Sequence, residues 1–251
     1  MKRAQSVVRA LSRGLGTPRL TFCLIIVAAL VGLVLVTSIW LVYRNATVSG
    51  PLGDDRLEGR NESLNWTVKY DGYGEVDVED GFASLKPRAA QEDSETSAAL
   101  ALAGDSDWRD YSFTVQMNLQ QQLRQNSPPN QWEAGWLFFR YQSDYRSYYL
   151  IHKPNGLELG KLVRPGSEGS TPPHNQVDNQ VFLATTSGPP VEPGRWYDYR
   201  VDVRGATIRV YVDGEPQITY TDPDPILSGR VGLYTEDAHV LYQDPLVNEL
   251  S

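Results

Sequence analysis

The stretch Thr207-Ile208-Arg209-Val210-Tyr211-Val212-Asp213-Gly214 decides the fold class. Polar and apolar side chains alternate along its first six residues, which is the period of a β-strand with one buried face. Asp-Gly is a preferred two-residue hairpin turn because both central residues of a type I′ turn have positive φ. The stretch therefore predicts a strand that ends in a tight hairpin.

The same device occurs twice more, around Asp80-Gly81 and around Asn155-Gly156. No segment after residue 43 carries a capped apolar repeat of 3.6 residues, so we expect no helix there. Short strands without intervening helices predict an antiparallel sandwich or barrel. Two long loops are expected, at 120–130 and 165–193, because both segments are rich in Pro, Gly, Asn or Gln. The further predicted strands are Tyr111–Asn118, Ala134–Tyr141, Trp196–Val203, Arg230–Thr235 and His239–Tyr242.

Leu20 to Tyr43 form 24 consecutive positions without a charged side chain. As a helix of about 36 Å, this segment would cross a bilayer core of about 30 Å. Five Lys or Arg and no acid precede it, and such cations stay on the cytoplasmic side. The pattern predicts a single-pass signal anchor in the cell membrane, with the N-terminus in the cytoplasm and the rest of the chain extracytoplasmic.

A cleaved signal peptide is the alternative interpretation. Its apolar region would span about 7–15 residues, whereas this run continues through Val42, and Val36-Thr37-Ser38 is a poor cleavage site. We therefore expect a cytoplasmic basic tail at 1–19, the transmembrane anchor at 20–43, a polar stalk at 44–63 and a β domain at 64–251. Asn45, Asn61 and Asn65 begin N-glycosylation sequons, which matter only in a eukaryotic cell that glycosylates the domain.

Composition excludes several classes of function. After residue 43 the chain carries 18 Lys and Arg against 31 Asp and Glu, a balance that suits neither nucleic acid nor anionic lipid. The one cysteine, Cys23, lies inside the predicted anchor. The β domain therefore has no disulfide, thiol nucleophile or cysteine zinc site. His152, His174 and His239 are far apart in sequence, which argues against a transition-metal cofactor.

Several motifs of turns and aromatic residues follow one another along the chain. They are Gly74–Gly81 (with Glu75 in place of an aromatic), Trp108–Phe113, Ala134–Arg140 with Tyr148-Tyr149, Trp196–Val201, Ile208–Gly214 and Gly229–Leu233. Their order resembles the concanavalin A-like lectin/glucanase superfamily, over about residues 64 to 247. Its laminin-G-like jelly rolls and the domain named for 3-keto-disaccharide hydrolases are the most similar branches. The resemblance implies an antiparallel jelly-roll β-sandwich, and its motifs concern turns and core aromatics more than chemistry.

Glu75-Val76-Asp77-Val78-Glu79 has the Glu-x-Asp-x-Glu spacing of laminarinase-type glucanases in that superfamily. Alternation places the three acids on one strand face, and paired carboxylates perform retaining glycoside hydrolysis. The segment is early in the domain, however, and turns at once through Asp80-Gly81. We predict a solvated strand face, with Glu75 and Glu79 not a catalytic pair.

The aromatic strands around residues 132–152 are the predicted ligand surface. Sugars stack on aromatic rings and take hydrogen bonds from a few fixed polar groups. Alternation would place Trp136, Phe138 and Arg140 on one face of their strand and Leu137, Phe139 and Tyr141 on the other. Which set packs the core is left open. The candidate ligand-binding residues are Trp132, Glu133, Arg140, Tyr148 and His152.

Asp105, Asp107 and Asp110 are weak candidates for a calcium site. Oxygen ligands suit calcium, but Asp is also an ordinary turn residue, and no other cofactor is expected. Three functions remain open. The leading hypothesis is a module that binds a glycan or a neighbouring membrane or envelope protein. A glycoside-cleaving enzyme of the 3-keto-disaccharide hydrolase type and an accessory subunit of a membrane complex are the alternatives.

Overall fold

The computed structural model describes residues 64–79, 81–163 and 179–250, together with the backbone of 176–177. These residues belong to one compact unit, Asp55–Ser251. They contain fifteen strands and no helix. The strands are β1 Thr67–Tyr70, β2 Glu75–Glu79, β3 Phe82–Lys86, β4 Ala98–Ala103, β5 Tyr111–Gln122, β6 Gly135–Ser143, β7 Arg146–Lys153, β8 Gly156–Leu162, β9 Gln176–Val177, β10 Gln180–Thr185, β11 Tyr197–Arg204, β12 Thr207–Val212, β13 Glu215–Thr221, β14 Arg230–Glu236 and β15 Ala238–Glu249.

The predicted all-β sandwich is confirmed. One sheet has eight strands in the order β1-β4-β14-β6-β7-β8-β10-β9, and the other has seven in the order β13-β12-β11-β5-β15-β3-β2. Every described strand pairing is antiparallel. Neighbouring strands in the sheets are often distant in sequence, which is how a jelly roll closes its two layers.

The predicted tail, anchor and stalk lie outside the described residues. Within the described part of the chain, no helix is long and apolar enough to cross a membrane.

The core lies between the two sheets. Alternate residues of β5, among them Phe113, Val115 and Met117, are buried. A Cβ on Gly135 of β6 would lie 2.3 Å from the Met117 sulfur and 2.8 Å from a Val240 methyl. Gly135 therefore faces the seven-stranded sheet. Because side chains alternate along a strand, Leu137 also faces inward and Trp136 faces away.

The hairpin turns follow their turn chemistry. Asp213 and Gly214 have φ of 52° and 81°, as a type I′ turn requires, so this prediction is confirmed. The predicted Asn155-Gly156 turn is wrong by one residue, because Lys153 pairs with Gly156 and the turn is Pro154-Asn155. Proline fixes φ near −65°, so its turn cannot be type I′. Asp80, in the third predicted turn, lies outside the described residues.

Three strands of the sandwich were missed, and two predicted loops are shorter than expected. Strand β10 lies inside the segment predicted as a loop at 165–193 and pairs with β8. Strand β5 extends to Gln122, into the segment predicted as a loop at 120–130. The missed strands are β1, β4 and β10, apart from the two-residue β9.

Candidate functional site

Arg140 lies between the sheets and not on the outer face of β6. Its φ is 47°, and the pairing of β6 with β7 shifts register after Phe139. This bulge breaks the expected alternation. The prediction that Arg140 shares a face with Trp136 and Phe138 is therefore wrong, and the Tyr141 ring stacks beside Phe138 instead, with centroids 6.0 Å apart.

The Arg140 side chain is fully buried and forms hydrogen bonds with three different loops. Its guanidinium donates to the backbone carbonyls of Arg109 (2.9 and 3.1 Å), Gly205 (2.6 Å) and Ile226 (2.7 Å). Nη2 also donates to the Asp110 carboxylate at 3.2 Å. These partners satisfy the buried cation. The position is structural.

Tyr148 and His152 also point into the sandwich. The Tyr148 hydroxyl donates to the Asp222 carboxylate at 2.6 Å and accepts the Ile226 N–H at 3.0 Å. His152 Nε2 donates to the Pro189 carbonyl at 2.7 Å, and Nδ1 lies 2.6 Å from the Tyr199 hydroxyl. Burial lowers the pKa of His152. The prediction that Arg140 and Tyr148 line a ligand groove is therefore wrong, because both side chains lie between the sheets.

On the side of the eight-stranded sheet that faces away from the other sheet lie six connected aromatic rings, which we call the aromatic face. Trp136 is the centre, 5.0 Å from the Tyr149 ring and 5.4 Å from the Tyr234 ring. Phe138 stacks on Tyr234 at 4.8 Å. Strand register explains the cluster, because Trp136 pairs with Tyr234 and Phe138 with Tyr149. The six members are Tyr70, Trp136, Phe138, Tyr141, Tyr149 and Tyr234.

Gly160 lets Tyr149 lie flat across the sheet. A Cβ at Gly160 would lie 2.0 Å from Cζ of the Tyr149 ring. The ring therefore occupies the space that a side chain would fill, and its hydroxyl reaches Glu158 at 2.9 Å.

Three tyrosine hydroxyls of the aromatic face donate to carboxylates. Besides the Tyr149–Glu158 bond, Tyr141 donates to Asp144 at 2.7 Å and Tyr234 to Glu236 at 2.5 Å. Lysines also pair with Glu158 and Asp144. Burial raises the pKa of Glu236, and the nearby carboxylates of Asp237 and Glu133 raise it further.

One end of the aromatic face is accessible. Trp136, Phe138, Tyr149 and Tyr234 are at most 8% exposed, so they form a floor. At the end where β1 and β14 stop and β4 and β6 start, Tyr70 and Glu236 are only partly buried. Here Tyr73 is 87% exposed and Trp132 is 47% exposed. We call Tyr70, Trp132 and Glu236 the open end.

Trp132 and Glu133, both predicted candidates, lie in the loop that enters β6. The Trp132 carbonyl accepts from the Trp136 indole N–H at 2.9 Å, which fixes the loop to the floor. Glu133 is fully buried and pairs with Arg124, which also pairs with Asp237 at 3.0 Å. Trp132 can therefore meet a ligand, whereas Glu133 holds the loop in place.

The predicted calcium candidates lie near the opposite end of the sandwich. Asp105, Asp107 and Asp110 line a cleft of about 530 Å³ with Glu249. Asp110 Oδ1 already accepts from Arg140 and from the Gly205 N–H at 2.8 Å. Among residues 64–79, 81–163 and 179–250, no three acidic, His or Cys side chains are grouped to hold a metal ion.

The Glu75–Glu79 segment forms β2, an edge strand of the seven-stranded sheet. Its three acids are exposed, and Glu75 accepts only a surface bond from Lys86 at 3.3 Å. The aromatic face belongs to the other sheet. That Glu75 and Glu79 are not a catalytic pair stays a prediction.

Sequence reasoning did not single out Tyr70, Tyr73, Tyr234 or Glu236. These residues come from β1, its following turn and β14, which only the sheet order brings together. The alternation of Tyr234 and Glu236 with Leu233 and Thr235 was the available signal.

Comparison with known proteins identifies the family. Residues 55–247 match the 3-keto-alpha-glucoside-1,2-lyase-like domain, and the chain belongs to this family. No curated protein matches the chain in sequence.

Solved structures share the fold at low identity. The carbohydrate-binding module CBM66 from Bacillus subtilis has a TM-score of 0.54 at 14% identity, covering 76% of this chain and 99% of that one. A B. subtilis protein of unknown function with a galectin-like fold has a TM-score of 0.50 at 12% identity, covering 76% and 98%. The exoplasmic/lumenal domain of VIP36, bound to Ca²⁺ and Man3GlcNAc, has a TM-score of 0.50 at 11% identity, covering 76% and 91%.

Replacing Arg140 should destabilise the fold. Arg140→Ala leaves buried carbonyls of three loops without their donor, so we expect the free energy of unfolding to fall by about 3–5 kcal/mol. Chemical denaturation of the full chain measures this loss. Arg146→Ala, at an exposed position whose Nε donates to Gln142, is the control and should change stability by about 0.5 kcal/mol or less. A similar small change for Arg140→Ala would contradict the structural role.

Proposed function

We propose that this domain binds a glycan at the open end of the aromatic face. The supporting observation is that aromatic rings and a partly buried carboxylate meet there at the surface. The apolar face of a sugar stacks on an aromatic ring, and its hydroxyls donate to fixed acceptors. Trp132 and Tyr70 would supply the rings, and Glu236 would accept from a sugar hydroxyl.

The two faces of the sandwich differ in a way that supports this assignment. The outer surface of the seven-stranded sheet carries polar pairs such as Ser112–Asp202 and Gln116–Asp198. A polar surface of this kind is stable in contact with water and presents no aromatic cluster for a sugar to stack on. Family membership and the fold shared with a carbohydrate-binding module agree with a glycan ligand.

The second candidate function is the family's lyase activity on a 3-keto-α-glucoside. A 1,2-elimination removes the C2 proton, which the C3 carbonyl acidifies, and releases the substituent at C1. It needs a general base near the sugar. Glu236 favours this candidate, because its raised pKa makes it a better proton acceptor than an ordinary carboxylate.

We also propose that Leu20–Tyr43 holds the domain at the extracytoplasmic side of a membrane. The supporting observations are the uncharged 24-residue run and the cations that precede it. At that location a neighbouring membrane or envelope protein would be the alternative partner. An accessory subunit would then show no glycan affinity and would co-purify with its complex in mild detergent.

Trp132→Ala should weaken glycan binding about 2- to 12-fold, because one stacking ring contributes about 0.5–1.5 kcal/mol. A glycan array selects the ligand, and calorimetry then measures its affinity for each variant. Trp196→Ala is the matched control, since Trp196 is 37% exposed and precedes β11 of the other sheet. Loss of affinity in the control alone would move the site to the other sheet.

Glu236→Gln separates the two candidate functions. If the domain is a lyase, turnover of a 3-keto-α-glucoside should fall by about 10²–10⁴-fold while substrate affinity falls much less. Glu158→Gln is the control, because Glu158 also accepts from a tyrosine of the aromatic face. No turnover by the unmodified protein would reject the lyase and leave the binding module.

Protease added to intact cells or spheroplasts should remove everything after residue 44 and spare the basic tail. The cations before Leu20 set this orientation. Immunodetection at each terminus reads out the topology. A protected C-terminal domain in cells whose envelope is permeable to the protease would refute it.

A further inference from the structure

A cleft with two tyrosines in its lining lies beside the open end. A cleft of about 600 Å³ runs from Tyr70 and Tyr73 to Arg88, Glu95 and Ala98. Its volume is within the range of pockets that hold small ligands. Tyr70 belongs to both the cleft and the aromatic face, since its ring meets the Tyr234 ring edge-on at 6.5 Å. The cleft therefore continues the surface on which we place the glycan.

Tyr73 is held outward in a conformation that side chains rarely adopt. Its φ is 58°, a left-handed geometry that costs energy for a residue other than Gly, Asn or Asp. It is also the most exposed of the large hydrophobic side chains in the described part of the chain. Strained backbone is found most often at ligand-binding and active sites, so this outlier favours a contact role for the Tyr73 ring.

The turn that carries Tyr73 is fixed by its neighbours. The Tyr73 N–H donates to Asp71 Oδ1 at 2.9 Å, and the Arg88 N–H donates to the Gly72 carbonyl at 3.0 Å. A Cβ on Gly74 would lie 2.1 Å from the Lys86 carbonyl oxygen. The turn is thus packed closely against the end of β3, and the backbone from which the Tyr73 ring projects is held in place.

The cleft also has polar groups suited to sugar hydroxyls. The Arg88 guanidinium lies 5.8 Å from the centre of the Tyr73 ring, and its Nη2 is 3.4 Å from Glu95 Oε1. Ser94 and Thr96 add hydroxyls to the lining. An aromatic ring bordered by a cation, a carboxylate and hydroxyls can stack a neutral pyranose and take its hydrogen bonds.

We propose that the cleft is a second sugar subsite, with Tyr73 as its stacking residue, and that the domain selects oligosaccharides over single sugars. This inference rests on the proposed glycan binding and names its substrate class. A glycan bound at Tyr70 would extend one or more units into the cleft. Affinity then depends on chain length through Tyr73.

The test compares one glycan at two lengths. The first probe is the array glycan of three or more sugars that binds the full-length protein most tightly. The second is a monosaccharide, chosen as whichever of the two terminal sugars of that glycan binds more tightly on its own. We expect the longer probe to bind at least tenfold more tightly. Tyr73→Ala should remove most of that gain and change monosaccharide affinity less than twofold. Tyr145→Ala, a 49% exposed tyrosine in the β6–β7 turn at the other end of the sheet, should bind as the unmodified protein does.

Tyr73→Gly is the control for misfolding, since it removes the ring without straining the backbone. Glycine adopts positive φ freely, so this variant should melt at or above the temperature of the unmodified protein and still lose the chain-length gain. Full affinity of Tyr73→Gly for the longer probe, or equal affinity of the unmodified protein for both probes, would overturn the subsite while leaving glycan binding intact. No array binding at all would overturn the proposed function as well.

Discussion

The bulge at Arg140 determines which side chains at this end of β6 face the core and which face away from it. The buried Arg140 guanidinium donates hydrogen bonds to the carbonyls of Arg109, Gly205 and Ile226. The residue has a left-handed φ in this position. A one-residue irregularity moves the following side chain to the other face. Tyr141 therefore joins Phe138 on the outer surface. The same contact that closes one end of the sandwich completes the aromatic layer above it.

That layer would give the proposed glycan site a rigid, buried floor. Its rings contact one another, and their hydroxyls are held by Glu158, Asp144 and Glu236. Groups that are already fixed lose little freedom when a ligand binds, which is why preorganised sites bind well. The fixed Tyr73 turn and the Trp132 loop, whose carbonyl is bonded to the floor, extend this property to the open end. The site combines a buried floor with a few exposed rings at one margin.

The sequence predicted what depends on local chemistry and missed what depends on sheet order. The Asp213-Gly214 hairpin was predictable because positive φ is a property of its two residues. Strand β4, Ala-Ala-Leu-Ala-Leu-Ala, was not, because its nearly continuous burial and low β-propensity hide the strand signal. The pairing of Trp136 and Phe138 on one face was foreseen, and Trp132 does lie at the open end. Arg140 points inward because of a bulge that no local pattern encodes. Tyr148 and His152 share one face of β7 by simple alternation, but only the pairing of Tyr148 with Phe139 shows that this face is the inner one.

Hydrogen–deuterium exchange of the protein with and without its best array glycan tests the central claim most directly, because it locates the bound ligand without altering any residue. The account predicts slower exchange in the segments 71–74, 94–97 and 130–134, which border the open end and the adjoining cleft. It also predicts unchanged exchange in the turns of the seven-stranded sheet. Protection confined to 105–110 and 204–207, at the Arg140 end of the sandwich, would contradict the assignment.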